Sequence, residues 1–213
     1  MINVAEGNYP NGQLFTTPWN FWVIDNFLNQ QAFENILNMK DNPNIFEVVD
    51  SSNGKRVVTS GKFNKYDFKI REKSHLELFN QLQESAHQSL LKVINSEELN
   101  KLYYIIDLVY CEPQYAYQKH LDHPDKFYSI VVYLHPEHAD ATTLLDSDNK
   151  LYNVVWKPNR ALIFKTNKQA YHFYRNKQQE KRYSLNIYLT KEKISFDVST
   201  RGAVEHSLDK YTA

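Results

Sequence analysis

The feature that most narrows the fold of this chain is the succession of short Tyr-, Val- and Ile-rich runs in its second half. Leu102 to Tyr110, Tyr128 to Leu134, Tyr152 to Trp156, Ala161 to Lys165, Tyr183 to Leu189 and Ile194 to Val198 each have the length and composition of a strand. Turn formers such as Lys157-Pro158-Asn159 separate them, and no helical pattern alternates with them. An antiparallel sandwich or barrel is therefore expected, rather than βαβ units around a parallel sheet.

The first hundred residues have a different pattern. After a polar, turn-rich start, Phe21 to Asp25 predicts a short strand. Asn26 to Met39 carries Phe27, Leu28, Phe33, Ile36 and Leu37 at helical spacing, with Asn29 as a plausible N-cap. Ile45 to Val49 and Arg56 to Thr59 flank Ser51-Ser52-Asn53-Gly54, and an Asn-Gly turn between β-branched runs is a strong hairpin signal. Ser74 to Ile94 reads as the longest helix, with His75 and His87 on its polar side. Helices first and strands later, in 213 residues, predict one α+β domain. Residues 1–100 would form a helical and hairpin support, residues 101–198 the β core and residues 199–213 a polar tail.

Charge and composition remove several function classes. Lys+Arg and Asp+Glu both total 25, so no basic surplus marks a nucleic-acid surface. With 15 Tyr, 12 Phe and only 5 Gly, and neither GxGxxG nor GxxxxGK[ST], the chain does not read as a glycine-dependent nucleotide fold. Cys111 is the single cysteine, which leaves no internal disulfide and no thiolate metal site, and suits a reducing interior. The opening residues lack a secretion signal, and no apolar run approaches the roughly 18 residues of a membrane span. A soluble, cytoplasmic protein with no membrane partner is expected.

The residues that carry chemistry are few. In extended chain His120 and Asp122 project to the same face and can share a metal. A third ligand must come from elsewhere, and His172, set among aromatics in Ala170-Tyr171-His172-Phe173-Tyr174, supplies it. Two histidines and one carboxylate form the facial triad of non-haem iron(II) oxygenases, with three coordination positions left open. Ten residues after His172, Arg182 opens an apolar strand. A guanidinium pointing inward there needs an anion, and its planar fork matches a carboxylate. Nearby, His123 and Asp125 could compete for the metal, but Pro124 breaks the extended spacing and predicts a turn. His135 and His138, around Pro136 and Glu137, read as a solvated loop, and Cys111 as a buried strand residue close to the cavity.

In their order and spacing these residues resemble the 2-oxoglutarate- and iron(II)-dependent dioxygenases, particularly the prolyl 4-hydroxylase-like branch, over about Leu102 to Leu189. That branch carries tyrosines ten and three positions before the HxD histidine, matched by Tyr110 and Tyr117. Its next strand ends in Tyr-Leu-Asn, matched by Tyr133-Leu134-His135, and a proline before an aliphatic run ending in Phe is matched by Pro158 and Ala161 to Phe164. The usual Gly-Gly-x-Thr or Gly-Gly-x-Leu is replaced by Asp140-Ala141-Thr142-Thr143-Leu144-Leu145.

The resemblance implies a double-stranded β-helix, or jelly-roll, core with N-terminal helices packed on it. It implies Fe(II) on His120, Asp122 and His172, and 2-oxoglutarate held by Arg182 and Tyr133, with Tyr110 and Tyr117 also at the cosubstrate. Dioxygen is the second cosubstrate and ascorbate an accessory reductant. The implied reaction hydroxylates an unactivated C–H bond of a prolyl, other amino-acid or peptide substrate and releases succinate and CO2. Asp122 favours hydroxylation, because the family's halogenating members lack a carboxylate there. The hairpin around Asn53-Gly54 and the Pro124 to Phe127 loop are candidate entrance walls. Competing expectations are a non-catalytic or cupin-like metal-binding jelly roll, which would not require Arg182, and an oxygenase of a small metabolite or nucleobase. Repair-type nucleobase oxygenases carry a second downstream arginine that this chain lacks.

Overall fold

Alternation along each strand decides the architecture, because the two faces of one sheet bury different partners. A computed structural model describes residues 1–42, 46–50, 56–59 and 73–192. Its elements are β1 (Ile2–Val4), β2 (Gln13–Phe15), β3 (Phe21–Ile24), α1 (Gln30–Met39), β4 (Phe46–Asp50), β5 (Arg56–Thr59), α2 (Lys73–Leu90) and α3 (Ser96–Leu99). They continue with β6 (Tyr103–Cys111), β7 (Ala116–His120), β8 (Lys126–His135), β9 (Thr143–Leu145), β10 (Leu151–Val154), β11 (Ala161–Lys165), β12 (His172–Arg175) and β13 (Arg182–Thr190). An 8-stranded sheet runs β2-β3-β11-β8-β13-β6-β5-β4, and a 5-stranded sheet runs β1-β10-β9-β12-β7. Every pairing in the larger sheet is antiparallel, and β1 with β10 is a parallel pair in the smaller one.

On β8, Tyr128, Ile130, Val132 and Leu134 point one way, and on β13, Tyr183, Leu185, Ile187 and Leu189 do the same. These residues form one core with Ile36 of α1 and Phe79, Leu82, Ala86 and Leu90 of α2. The helices therefore cover the outer face of the larger sheet, as expected from their apolar stripes. The opposite parity, with Phe21, Val23, Tyr133, Leu162 and Phe164, packs against Leu144, Tyr152 and Val154 of the smaller sheet. The space between the sheets is thus partly apolar core, and its remaining end holds the site described below.

Asn29 does cap α1, its side chain accepting the Ala32 N–H at 2.9 Å. That helix begins later than the periodicity suggests. Asn26 has φ 51°, and Phe27 and Leu28 donate their N–H groups to Asn159, which ties this stretch to the turn before β11 instead of to a helix. The hairpin strands β4 and β5 pair as expected. Its turn at 51–55, the strand expected at Ile194 to Val198 and the tail lie outside the described residues. Strands β1, β2 and β9 were not anticipated, since three residues are too few to show an alternation. Through β1 to β5 the first hundred residues contribute to both sheets rather than only supporting them.

Candidate metal centre

Strands β7 and β12 are neighbours in the smaller sheet, and His172 stands opposite His120 in their register. Directly opposed residues of an antiparallel pair share a face with Cβ atoms about 5 Å apart. The pairing therefore brings together two imidazoles from distant parts of the chain, with ring centroids 4.2 Å apart. Asp122, two residues past the end of β7, directs Oδ2 to 3.8 Å from His172 Nε2. One ligand atom from each of the three side chains lies within 4.8 Å of the others.

Each imidazole is oriented by its own strand. His120 Nδ1 lies 2.9 Å from the Gln118 carbonyl, and His172 Nδ1 lies 2.9 Å from the Ala170 carbonyl. A carbonyl only accepts, so this hydrogen bonding assigns the proton to Nδ1 and leaves each Nε2 lone pair for a metal. Burial and the adjacent His172 push the His120 pKa down to about 3, which keeps the ring neutral at physiological pH. For Asp122, burial acts to raise the carboxyl pKa, but the Lys126 ammonium, by its charge and its hydrogen bond, opposes this and holds the group ionised, well below the usual carboxylate range. Two neutral nitrogens and one anionic oxygen are the donor set that suits Fe(II) with open positions.

The triad lines a cavity whose other walls come from β8, β13, Thr142 and the aromatics Tyr117 of β7 and Tyr174 of β12. Arg182 lies in its lining and is 1% exposed. Its Nε donates to the Asp140 carbonyl at 3.0 Å, while its buried Nη2 has no hydrogen-bond partner among the described residues. The guanidinium is packed against the rings of Tyr174, Trp156 and Tyr133, at 4.5, 5.0 and 5.7 Å from their centroids. A buried N–H left unmet costs about 1–3 kcal/mol. An anion entering the cavity would meet it, so the residues present fit a carboxylate cosubstrate as well as a metal.

The other expected site residues fall in different places. Tyr117 lines the cavity, its ring edge-on to His120 at 4.5 Å and stacked on Tyr174 at 5.5 Å. Tyr133 stands just behind the wall: fully buried and stacked on Trp156 at 4.6 Å, it accepts the Thr142 N–H at its hydroxyl, 3.2 Å away. Tyr110 does not reach the cavity. The parity of β6 turns it to the helix-covered face, where it packs on Tyr183 at 5.4 Å, while its neighbours Val109 and Cys111 join the cluster around Tyr115. His123 and Asp125 pair with each other at 3.3 Å in the turn before β8, away from the cavity lining. His135 faces Glu180 at 3.6 Å. Cys111 is buried, as expected, and its thiol donates to the Tyr174 hydroxyl at 3.3 Å.

Lys126, within the Pro124 to Phe127 stretch expected as an entrance wall, does line the cavity, whereas Ser129, Ser184, Asn186 and Tyr188 were not foreseen. A signal for them exists in β13. Ser184, Asn186 and Tyr188 continue the parity of Arg182, while Tyr183, Leu185, Ile187 and Leu189 fill the core, so polar positions alternate with apolar ones in a central strand.

No protein-family model matches the sequence, and no curated protein matches it. Solved structures do share its fold. A prolyl-4-hydroxylase from Pseudomonas putida superposes with a TM-score of 0.55 at 13% identity, over 81% of this chain and 93% of that one. A prolyl hydroxylase from Trichoplax adhaerens, in complex with a hypoxia inducible factor oxygen degradation domain peptide fragment, gives 0.59 at 15% identity, over 80% and 83%. A 2OG-Fe(II) oxygenase family oxidoreductase from Burkholderia pseudomallei gives 0.59 at 12%, over 81% and 86%. At such identities the likeness is one of fold, and the chemistry must be argued from the site. Among the described residues no helix is long and apolar enough to cross a membrane.

Proposed function

We propose that this protein is an Fe(II)- and 2-oxoglutarate-dependent dioxygenase with a double-stranded β-helix core, hydroxylating a prolyl or other amino-acid or peptide substrate with release of succinate and CO2. The observation that carries the reading is the pairing, in one cavity, of the His120, Asp122 and His172 donor set with a buried arginine whose Nη2 lacks a partner. A metal-binding protein without an anionic cosubstrate has no use for that arginine.

His120 and His172 each point Nδ1 at a backbone carbonyl and so turn Nε2 toward the metal position, and Asp122 adds the one negative charge. Iron, when bound, would supply the redox chemistry with dioxygen that no side chain here can provide. Arg182 receives the far carboxylate of 2-oxoglutarate on its open N–H. Tyr133, whose burial raises its pKa so that the hydroxyl stays protonated, packs behind the guanidinium at 5.7 Å and backs its orientation toward the cavity. Tyr117 and Tyr174 form an aromatic wall next to His120 that restricts water on that side. A peptide substrate is favoured by the fold shared with the Trichoplax adhaerens protein, which holds a peptide fragment.

The test is succinate release in air with Fe(II) and 2-oxoglutarate across a panel of proline-containing peptides, free amino acids and nucleobases. Succinate coupled to the gain of one oxygen atom in a peptide or amino acid is expected. Coupling confined to nucleobases, or succinate release that persists in His172→Ala, contradicts the proposal.

A further inference from the structure

The two oxygens of Asp122 are not equivalent. Oδ2 faces the His172 Nε2 at 3.8 Å, whereas Oδ1 accepts a hydrogen bond from Lys126 Nζ at 2.9 Å. Lys126 is the first residue of β8, and the intervening turn is closed by the Lys126 N–H on the His123 carbonyl at 3.0 Å and by the His123–Asp125 contact. The turn carries the lysine back onto the carboxylate four residues earlier, and the pair is well enclosed, with side-chain exposures of 18% for Lys126 and 9% for Asp122.

The ammonium is also fixed from the other side, 3.9 Å above the Tyr188 ring. Tyr188 in turn accepts a hydrogen bond from Asn186 Nδ2 at 3.2 Å, and Asn186 Oδ1 accepts from the Ser184 hydroxyl at 3.4 Å. A row of side chains on the cavity face of β13 thus supports Lys126, which holds one oxygen of the proposed metal ligand. Such contacts orient a ligating carboxylate and set how many of its oxygens are available.

We infer that Lys126 is a positioning residue: by engaging Oδ1 it makes Asp122 a one-oxygen ligand through Oδ2 and keeps the adjacent coordination position open for the cosubstrate. The inference rests on the metal-centre reading given above. A carboxylate released from this hold can turn both oxygens toward the metal and fill the position that the 2-oxo acid requires. The lysine's positive charge, next to the site, also works against the cation. Its loss therefore leaves metal binding as strong or stronger while weakening 2-oxoglutarate.

The experiment compares the full-length wild type, Lys126→Met and Lys126→Arg. Calorimetry measures Co(II) affinity, the visible Co(II) spectrum reports coordination, and a titration of the Co(II)-loaded protein gives 2-oxoglutarate affinity. Lys126→Met should bind Co(II) at least as tightly as wild type, show an altered Co(II) spectrum and bind 2-oxoglutarate about tenfold more weakly, a change of about 1.4 kcal/mol. Lys126→Arg, which retains a donor for Oδ1, should restore the wild-type spectrum and most of the affinity. Thermal melts without metal identify any variant that fails to fold, and Lys126→Leu, which also lacks a donor for Oδ1, then replaces Lys126→Met. A spectrum and 2-oxoglutarate affinity unchanged in a folded Lys126→Met protein, or a fall in its Co(II) affinity, overturns this inference alone. Wild type that binds no Co(II), or His172→Ala that binds it normally, removes the metal-centre reading and this inference with it.

Discussion

Arg160 and Arg182 are both 1% exposed and are the two bulkiest fully buried side chains of the described residues, yet the protein treats them in opposite ways. Arg160 uses all five of its N–H donors. Nε and Nη2 grip the Asp25 carboxylate at 2.7 and 3.0 Å, Nη1 donates to the Ala5 and Val155 carbonyls, and Nη2 also donates to the Gly7 carbonyl at 2.7 Å. It fastens the N-terminal segment to the end of β3 and the start of β11. Arg182 has a single carbonyl on Nε, three aromatic rings around it and an unmet Nη2. Burial alone does not reveal what an arginine is for. The state of its donors separates the two: a saturated fork belongs to the fold, and an incomplete one leaves a donor open to a ligand.

The comparison can be broken most readily at Arg160. Asp25→Ala should destabilise the protein by about 3–5 kcal/mol in denaturant unfolding, because it strands a buried guanidinium. The affinity of the folded protein for 2-oxoglutarate should not change. Burial works to raise the Asp25 pKa, but Arg160, the Tyr9 N–H and Lys157 more than offset it, so it lies below the ordinary 3.8. A depressed carboxyl pKa contributes stability that is present above the unfolded value and is lost as pH falls through the folded one. Wild type should thus keep this contribution at neutral and mildly acidic pH and lose it only below about pH 4, while the unfolding curve of Asp25→Ala lacks that component.

At Arg182 the effects should be reversed. Arg182→Met is expected to weaken 2-oxoglutarate by about 10- to 100-fold, the worth of a hydrogen-bonded charge pair, and to change unfolding free energy by less than about 1 kcal/mol. A large loss of stability with unchanged cosubstrate affinity would place Arg182 with Arg160 as a structural residue. The smallest effect belongs to Lys157, 3.5 Å from Asp25 but with 43% of its side chain exposed. Lys157→Met should cost no more than about 0.5 kcal/mol, since an exposed partner is screened and mobile. A cost comparable with Asp25→Ala would mean that Lys157 shares the role assigned to Arg160.

The sequence made one of these arginines visible and hid the other. Arg182 stood out because it opens an apolar strand ten residues after a candidate ligand. Arg160 lay beside a proline turn, and its partner Asp25, 135 residues away, looked like a strand end. Long-range pairing of that kind leaves no local period to read. The same limit explains Tyr110, whose spacing from His120 is suggestive but whose side is set by the register of β6 on β13. Ser184, Asn186 and Tyr188 were legible in principle from their alternation. The contact of Lys126 with Asp122 was not, because it depends on the turn between them. Dense apolar and aromatic runs made β8, β11 and β13 readable and Asn29 the cap of α1, whereas three-residue strands carry too little pattern.

The central claim is that one cavity binds a metal and a 2-oxo acid together. Fe(II) and 2-oxoglutarate added without oxygen should produce a weak visible charge-transfer band in wild type that neither component gives alone. The band should vanish in His172→Ala and require about 10- to 100-fold more 2-oxoglutarate in Arg182→Met. A band that survives His172→Ala, or its absence from wild type with both components saturating, would contradict the account.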